Sequence, residues 1–169
     1  MSSKITWGIV LFLLPLSIFA QNPPAKGFNA AGSDAKAIAI ADQVMEAMGG
    51  RKAWDATRYI TWNFFGRRTL LWDKKAGRVR IDIPGDKSTY IVDLNKETGQ
   101  IKHKGTVMTQ ADSIKKYAGV AKSIWINDSY WLVMPYKLKD SGVTLKYKGE
   151  MPTEAGVASD VLELTFENV

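Results

Sequence analysis

The spacing of apolar residues divides this chain into a helical start, a long run of strands and a helical insertion. Apolar residues recur at helical spacing over 34–48, after Ser33 or Asp34 as candidate caps and before a glycine pair at 49–50. This pattern predicts one N-terminal helix with a single apolar stripe, because residues three and four positions apart share a helix face.

From Arg58 the apolar period becomes two, which is typical of strands with one buried face. Turn-forming residues separate the alternating segments at short intervals. The pattern predicts strands over 58–65, 69–73, 78–83, 88–94 and 100–104, and again around 143–147 and 162–166. Strands joined by such short turns form an antiparallel meander with one polar and one apolar face.

A helical pattern interrupts the strands between 109 and 134. A helix that starts at Thr109 or Asp112 is predicted to run to Ile124, and the turn-forming triplet 127–129 is expected to interrupt it. Pro135 stops any helix that continues beyond this point. Helix, meander, helical insertion and further strands together predict an α+β fold.

The N-terminus has the features of a secretory signal peptide over residues 1–20. Lys4 precedes an apolar run over 5–19, and Ala20 supplies a small residue at the exit. A membrane anchor is the alternative, but Pro15 within the run favours cleavage. We therefore expect cleavage near Ala20, a periplasmic or secreted protein, and a flexible lead-in over 21–33.

Composition and motifs argue against an enzyme. The chain has no cysteine and only one histidine, so the usual zinc ligand sets cannot form. The histidine, His103, is expected to face solvent. It contains no nucleophile elbow, phosphate loop or dinucleotide fingerprint. The net charge of +6 is interspersed with acids, so nucleic acid is not an expected partner. We expect no catalysis, no metal and no cofactor.

One stretch resembles a known group of proteins. Residues 124–138 contain Asn-Asp-Ser-Tyr-Trp-Leu-Val-Met-Pro, and with the N-terminal helix and aromatic meander they resemble an uncharacterised family of exported Gram-negative proteins. That family is similar to the outer-membrane lipoprotein-sorting carriers, the LolA/LolB-like group. The resemblance covers about 34–169 and identifies no individual functional residue.

This resemblance implies a curved antiparallel sheet that forms an unclosed half-barrel. The N-terminal helix and the helical insertion would cover its concave face over a hydrophobic cavity that holds acyl chains. It also implies further strands after Val169, so the 34–169 domain is expected to be incomplete at its C-terminus. The alternative is that the last strand pairs on both sides.

These features give candidate ligand-binding residues. The cavity lining would be formed by Trp62, Phe64, Leu70, Trp72, Val79, Ile81 and Tyr90. A cavity mouth would be formed by Tyr130, Trp131, Met134 and Tyr136. The alternatives are an ordinary filled core for the first set and a hydrophobic plug for the second.

The predicted function is binding and carriage of a lipid or an acylated protein by a monomer. Basic residues two apart, such as Arg78 and Arg80 or Lys137 and Lys139, would form a solvated strand face that could also meet an anionic membrane surface. The alternative is a structural or protein-interaction module of the cell envelope whose interior is filled by its own side chains.

Overall fold

A computed structural model describes residues 22–167 of the chain. The predicted signal peptide and the chain end at Val169 lie outside these residues. The helices are α1 (Ala35–Ala47), α2 (Gly50–Ala56) and α3 (Ala111–Val133). The strands are β1 (Tyr59–Phe64), β2 (Arg68–Asp73), β3 (Arg78–Ile83), β4 (Ser88–Asp93), β5 (Thr98–His103), β6 (Thr106–Val107), β7 (Val143–Pro152) and β8 (Ala158–Phe166).

The predicted fold class is confirmed. Strands β1 to β6 form one antiparallel sheet in sequence order that does not close into a barrel, and β7 and β8 form a separate hairpin. The two covering helices pack on different sheets. Helix α3 lies against β4 and β5, whereas α1 contacts β7.

Side chains on the inner face of the six-stranded sheet form continuous rows across the strands. Trp62, Leu70, Ile81, Tyr90 and Ile101 are successive cross-strand partners from β1 to β5. All but Trp62 are buried. Cross-strand neighbours of this kind supply much of the stability of a sheet, since their side chains pack directly against one another.

Helix α3 approaches this face closely because small residues lie at the contact. Ala118 and Ala121 are fully buried in the same cluster as Leu70, Ile81 and Tyr90. Alanine adds no side chain beyond Cβ, so the helix backbone comes down near the sheet. The centre of the concave face is therefore occupied by the protein's own side chains.

The predicted interruption of this helix at 127–129 is wrong. Helix α3 continues without a break to Val133, and a short 3-10 turn over Met134–Lys137 follows, with Pro135 at its second position. Asn and Asp favour turns because their side chains compete for backbone hydrogen bonds. Here those side chains have other partners, since Asn127 Nδ2 donates to Asp128 Oδ1 at 2.9 Å and Asp128 accepts from Arg68.

A buried ion pair joins α3 to β2. Arg68 Nε donates to Asp128 Oδ2 at 2.6 Å and Nη2 donates to Oδ1 at 2.7 Å, while the Asp128 side chain is 0% exposed. The hydrogen bond that Arg68 donates to Asp128 is the main cause that raises the pKa of Arg68 above its ordinary value. Such a bidentate contact fixes both distance and angle between the helix and the strand.

A second core lies between α1 and the β7–β8 hairpin. Ala37 and Ala41 of α1 pack with Leu138, Val143 and Leu145. The residues of the expected lead-in are held along this hairpin. Their backbone and side-chain bonds include Ala25 N to Lys139 O, Asn29 N to Val143 O, Asp34 N to Leu145 O and Asn29 Nδ2 to Thr144 Oγ1.

The expectation that Lys137 and Lys139 share a solvated strand face is wrong. Lys137 ends the 3-10 turn, and Lys139 is buried. The Lys139 ammonium donates to the Asp42 carboxylate and to the carbonyl of Asn22. Lys139 therefore ties the segment before α1 and α1 itself to the chain after α3.

Removing the buried carboxylate should destabilise the fold strongly. Asp128→Asn keeps the side-chain volume but leaves the Arg68 guanidinium without its counterion, so we expect a loss of about 3 kcal/mol in the free energy of unfolding. Urea denaturation followed by circular dichroism measures this. Asp55→Asn, which removes an exposed partner of Arg51, should cost about 0.5 kcal/mol or less. Equal losses in the two variants would contradict the assignment.

The contact between α1 and β7 should weaken in acid. Tyr147 N donates to Asp34 Oδ2 at 3.0 Å, and this bond, followed by that from Lys146, lowers the pKa of Asp34 below 3.8. A lowered pKa in the folded state means that the stabilisation is present above the unfolded-state pKa and is lost as pH falls through the folded value.

We therefore expect Asp34→Asn to melt at a lower temperature than the wild type near pH 6, and the difference to shrink as the pH falls below the ordinary pKa of an aspartate carboxyl, about 3.9. Thermal melts across this range measure it. Glu154→Gln serves as the control, because Glu154 lies in the β7–β8 turn and makes no ion pair among residues 22–167. A difference for Asp34→Asn that stays constant with pH would show that its carboxylate charge is not the cause.

Candidate functional site

The seven predicted lining residues lie on one face but differ in burial. Leu70, Val79, Ile81 and Tyr90 are buried in the cluster that α3 covers. Their surfaces are taken up by neighbouring side chains. A ligand could reach these four only if α3 moved away from the sheet.

The three remaining members, Trp62, Phe64 and Trp72, are partly buried at the margin of the cluster. Trp72 packs edge-on against Trp125, with ring centroids 5.1 Å apart. Trp62 and Phe64 line a small cavity of about 210 Å³ that Trp131 also borders. The indole N–H groups of Trp62 and Trp125 are buried without a hydrogen-bond acceptor among the described residues. Buried polar groups without a partner are uncommon, so the margin of the cluster is less favourable for these groups than a fully hydrogen-bonded environment.

The four predicted mouth residues do not form a single rim. Tyr130 and Trp131 are exposed near the end of α3 and meet edge-on at 5.9 Å. Met134 packs against the second core. Tyr136 stacks on Trp54 of α2 at 4.4 Å, and its hydroxyl donates to Met48 O at 3.3 Å. The end of α3 thus separates an exposed aromatic pair from a stacked pair.

An open apolar groove lies beside the stacked pair. It has a volume of about 480 Å³ and is bounded by the end of α1, by α2, by β1 and by the end of α3. Its lining residues are Met48, Ala53, Trp54, Thr57, Tyr59, Ile60, Thr61, Leu132, Val133 and Tyr136. The volume falls within the range of small-molecule sites, and none of the lining residues carries a formal charge at neutral pH.

Basic residues border the α2 side of the groove. Lys74 Nζ lies 4.1 Å from the Trp54 ring centroid and donates to the Trp54 carbonyl. Burial is the main cause that lowers the pKa of Lys74. Arg58 lies over the Tyr59 ring and pairs with Asp73 at 2.9 Å. The groove is thus lined mainly by uncharged apolar and aromatic side chains, and Lys74 places one ammonium group beside its rim.

Exposed apolar side chains continue around the end of α3. Phe65 is 82% exposed and Trp131 is 70% exposed, and both border the small cavity beside Trp62. Ile126 and Tyr130 extend this surface along the helix and line a further open cavity with Trp131. Contiguous exposed apolar surface of this kind commonly marks an interaction site.

The expectation that His103 faces solvent is wrong. His103 is half-buried, its Nδ1 lies 2.7 Å from the Tyr90 hydroxyl, and its ring stacks on Tyr117 with centroids 4.2 Å apart. Burial is the main cause that raises the pKa of Tyr90. The contact supplies the buried Tyr90 hydroxyl with a hydrogen-bond partner, so it has a structural role in the core.

The expected basic strand faces are largely neutralised by nearby acids. Arg80 pairs with Asp82 at 2.6 Å, and Lys146 pairs with Asp34 at 3.0 Å. Lys148 lies 3.4 Å from Glu163. These pairs reduce the positive field that the strand faces would present to an anionic surface.

The described residues contain neither a metal-site cluster nor a membrane span. Within 22–167, His, Asp and Glu side chains do not assemble in groups of three or more that could hold a metal ion. No helix in the same part of the chain has the length and apolar character needed to cross a bilayer.

The chain matches no protein-family model, curated protein or solved structure. The resemblance to the lipoprotein-sorting carriers therefore stays a prediction, and the candidate site is defined by its geometry alone. The spacing of apolar residues did not predict the groove. Trp54, a large aromatic residue shortly after the glycine pair, was the available signal, since such side chains are usually buried against other parts of a fold.

Replacing Trp131 should affect ligand uptake more than stability. Because most of its side chain is exposed, we expect Trp131→Ala to shift the melting temperature by about 2 °C or less. Uptake of a fluorescent fatty acid should weaken by about tenfold if the indole contacts the ligand. Phe166→Ala, which removes an exposed aromatic ring on β8, should leave uptake unchanged. A larger effect on stability than on uptake would show that Trp131 does not contact the ligand.

Proposed function

We propose that this protein is an exported, non-catalytic binding protein for a hydrophobic ligand such as a lipid or an acyl chain. The observation that carries the proposal is the open groove between α2, β1 and the end of α3. Its position differs from the concave-face cavity that the resemblance implies. The ligand class is the same.

The lining of the groove supports an apolar ligand. Met48, Ile60 and Leu132 present aliphatic surface, and Trp54 and Tyr136 form a stacked aromatic wall. Each methylene of an alkyl chain taken from water into such a site contributes about 0.8 kcal/mol. Methionine and aromatic side chains adapt to chains of varying shape, which suits a carrier.

The surroundings of the groove support a ligand with a polar or anionic end. Lys74 lies on the α2 side, where a carboxylate or phosphate would meet its ammonium group, whereas the neighbouring Arg58 is already paired with Asp73. On the other side of the end of α3, Phe65 and Trp131 offer exposed aromatic surface. Aromatic side chains are enriched at membrane interfaces, so this surface would suit transfer of a ligand from a membrane.

A second function is supported by the filled concave face. Leu70, Val79, Ile81 and Tyr90 are buried beneath the alanines of α3. A module whose interior is filled by its own side chains would act through its surface in the cell envelope. The groove would then be a contact site for another protein.

Ligand content distinguishes the two functions. The full chain is purified without detergent and analysed by denaturing mass spectrometry and by fatty-acid titration. A copurified lipid at about one equivalent, or saturable uptake of a fluorescent fatty acid, supports the carrier. Protein that is free of lipid and ignores the fatty acid supports the interaction module and overturns our proposal.

A charge placed in the groove should weaken the uptake of fatty acid strongly. Leu132 lines the groove near its open side, so Leu132→Arg should weaken fatty-acid binding by about tenfold or more through the desolvation of the guanidinium. Val120→Arg places the same charge on an exposed position of the same helix, away from both the groove and the apolar surface around Trp131. Equal weakening in both variants would indicate a ligand site elsewhere. The control should retain wild-type affinity.

A further inference from the structure

Strand β1 has one unpaired edge. It is the first strand of the six-stranded sheet and pairs only with β2 among the described residues. Lys74 N donates to Arg58 O at 2.8 Å, and hydrogen bonds in an antiparallel ladder fall on alternate residues. The backbone groups of Ile60 and Trp62 therefore face β2, while those of Tyr59, Thr61 and Asn63 face outward.

This edge lacks the devices that normally prevent strand addition. Proteins protect sheet edges with short strands, proline, bulges or charged side chains, or cover them with a helix or loop. Tyr59, Thr61 and Asn63 are exposed, so no other element within 22–167 covers this edge. The opposite edge strand, β6, has two residues. Strand β1 has six, pairs with β2 without a register shift, and contains no proline, glycine or charged residue. Its β-branched and aromatic residues instead favour strand pairing.

The absence of charged residues from β1 favours pairing with the same strand of a second copy of the chain. Each other strand of more than two residues within 22–167 carries at least one charged side chain. When a strand pairs with its own copy across a two-fold axis, residues near the axis face identical residues, and like charges there are destabilising. A strand that pairs with itself must therefore be uncharged near the axis, whereas one that recognises a foreign strand need not be.

We propose that β1 pairs antiparallel with β1 of a second copy of this chain, with Thr61 on the two-fold axis. In this register Tyr59 of each copy lies opposite Asn63 of the other. Thr61 faces its own copy as a hydrogen-bonded pair, because its backbone groups point outward. Threonine pairs and pairs that contain an aromatic residue are among the favourable cross-strand neighbours.

The side chains around this edge leave room for such a partner. Tyr59 is 59% exposed, and the edge at 59–61 opens onto the groove described above. Five paired residues on each side make a small interface, of the size of weak and reversible associations. The inference departs from the expectation of a monomer and stands without the proposed ligand, because it rests on the backbone edge of β1.

The mass of the protein as a function of concentration tests the pairing. Sedimentation velocity from about 5 to about 500 µM should show wild-type protein moving from monomer toward dimer, as expected for a small interface. Thr61→Lys should stay monomeric, since two ammonium groups would meet on the axis. Val107→Lys, at the exposed end of the opposite edge strand, should dimerise like the wild type. Monomeric wild-type protein throughout this range would overturn the proposal.

A cross-link identifies the paired strand directly. The chain has no cysteine, so Thr61→Cys introduces a single thiol. Residues of a hydrogen-bonded antiparallel pair have Cα atoms about 5.5 Å apart, within the range of disulfides. Thr61→Cys should form a covalent dimer under mild oxidation about tenfold faster than Gln100→Cys, an exposed position on the interior strand β5.

Equal cross-linking rates would exclude Thr61 as the axis even if a dimer exists. Circular dichroism melts check that each variant is folded. Fatty-acid uptake is measured separately on wild-type protein, so the failure of the ligand proposal leaves this result unchanged. Thr61 also borders the groove, and its variants are therefore not used to judge ligand binding.

Discussion

The contact between α3 and the six-stranded sheet determines most of this structure. It combines a close approach at Ala118 and Ala121 with the buried bidentate pair of Arg68 and Asp128. A carboxylate that is fully removed from water is tolerated only when its charge and hydrogen bonds are matched, so the pair allows one placement of the helix on the strand. Because Asp128 is satisfied across the interface, the helix continues through residues that would otherwise end it.

This placement also determines where a ligand has room. The alanines bring the helix down onto Leu70, Ile81 and Tyr90, and the concave face becomes a packed core. Space remains where the layers end, beside Trp54, Leu132 and Tyr136. These residues belong to two distant parts of the chain, so the groove exists only in the assembled fold. A packed centre and an open end are compatible with binding at the end, since a groove held in shape by packed neighbours loses little conformational freedom when it binds.

The sequence predicted the meander well because its signal is local. Strand β3 begins and ends at the predicted residues 78 and 83, since apolar and charged positions alternate there without exception. The errors arose where a distant partner decides the outcome. Asp128 lies within a helix because Arg68 binds its carboxylate. His103 turns into the core because the Tyr90 hydroxyl lies beside its ring nitrogen. Lys139 is buried because Asp42 accepts a hydrogen bond from its ammonium group. The stacking of Trp54 on Tyr136 has the same character, which is why composition and spacing indicated an aromatic site but placed it elsewhere.

The two cores differ in how far apart their partners lie along the chain. The meander joins neighbouring strands through short turns, whereas Asp34 reaches Tyr147 across 113 positions. Closing a long loop costs more conformational entropy than closing a short one, and contacts between distant residues form later in folding. The six-stranded sheet and α3 can therefore assemble before the helix at the start of the domain finds its hairpin. The order of assembly would run from the middle of the chain outward, and the segment after residue 21 would be fixed in place last.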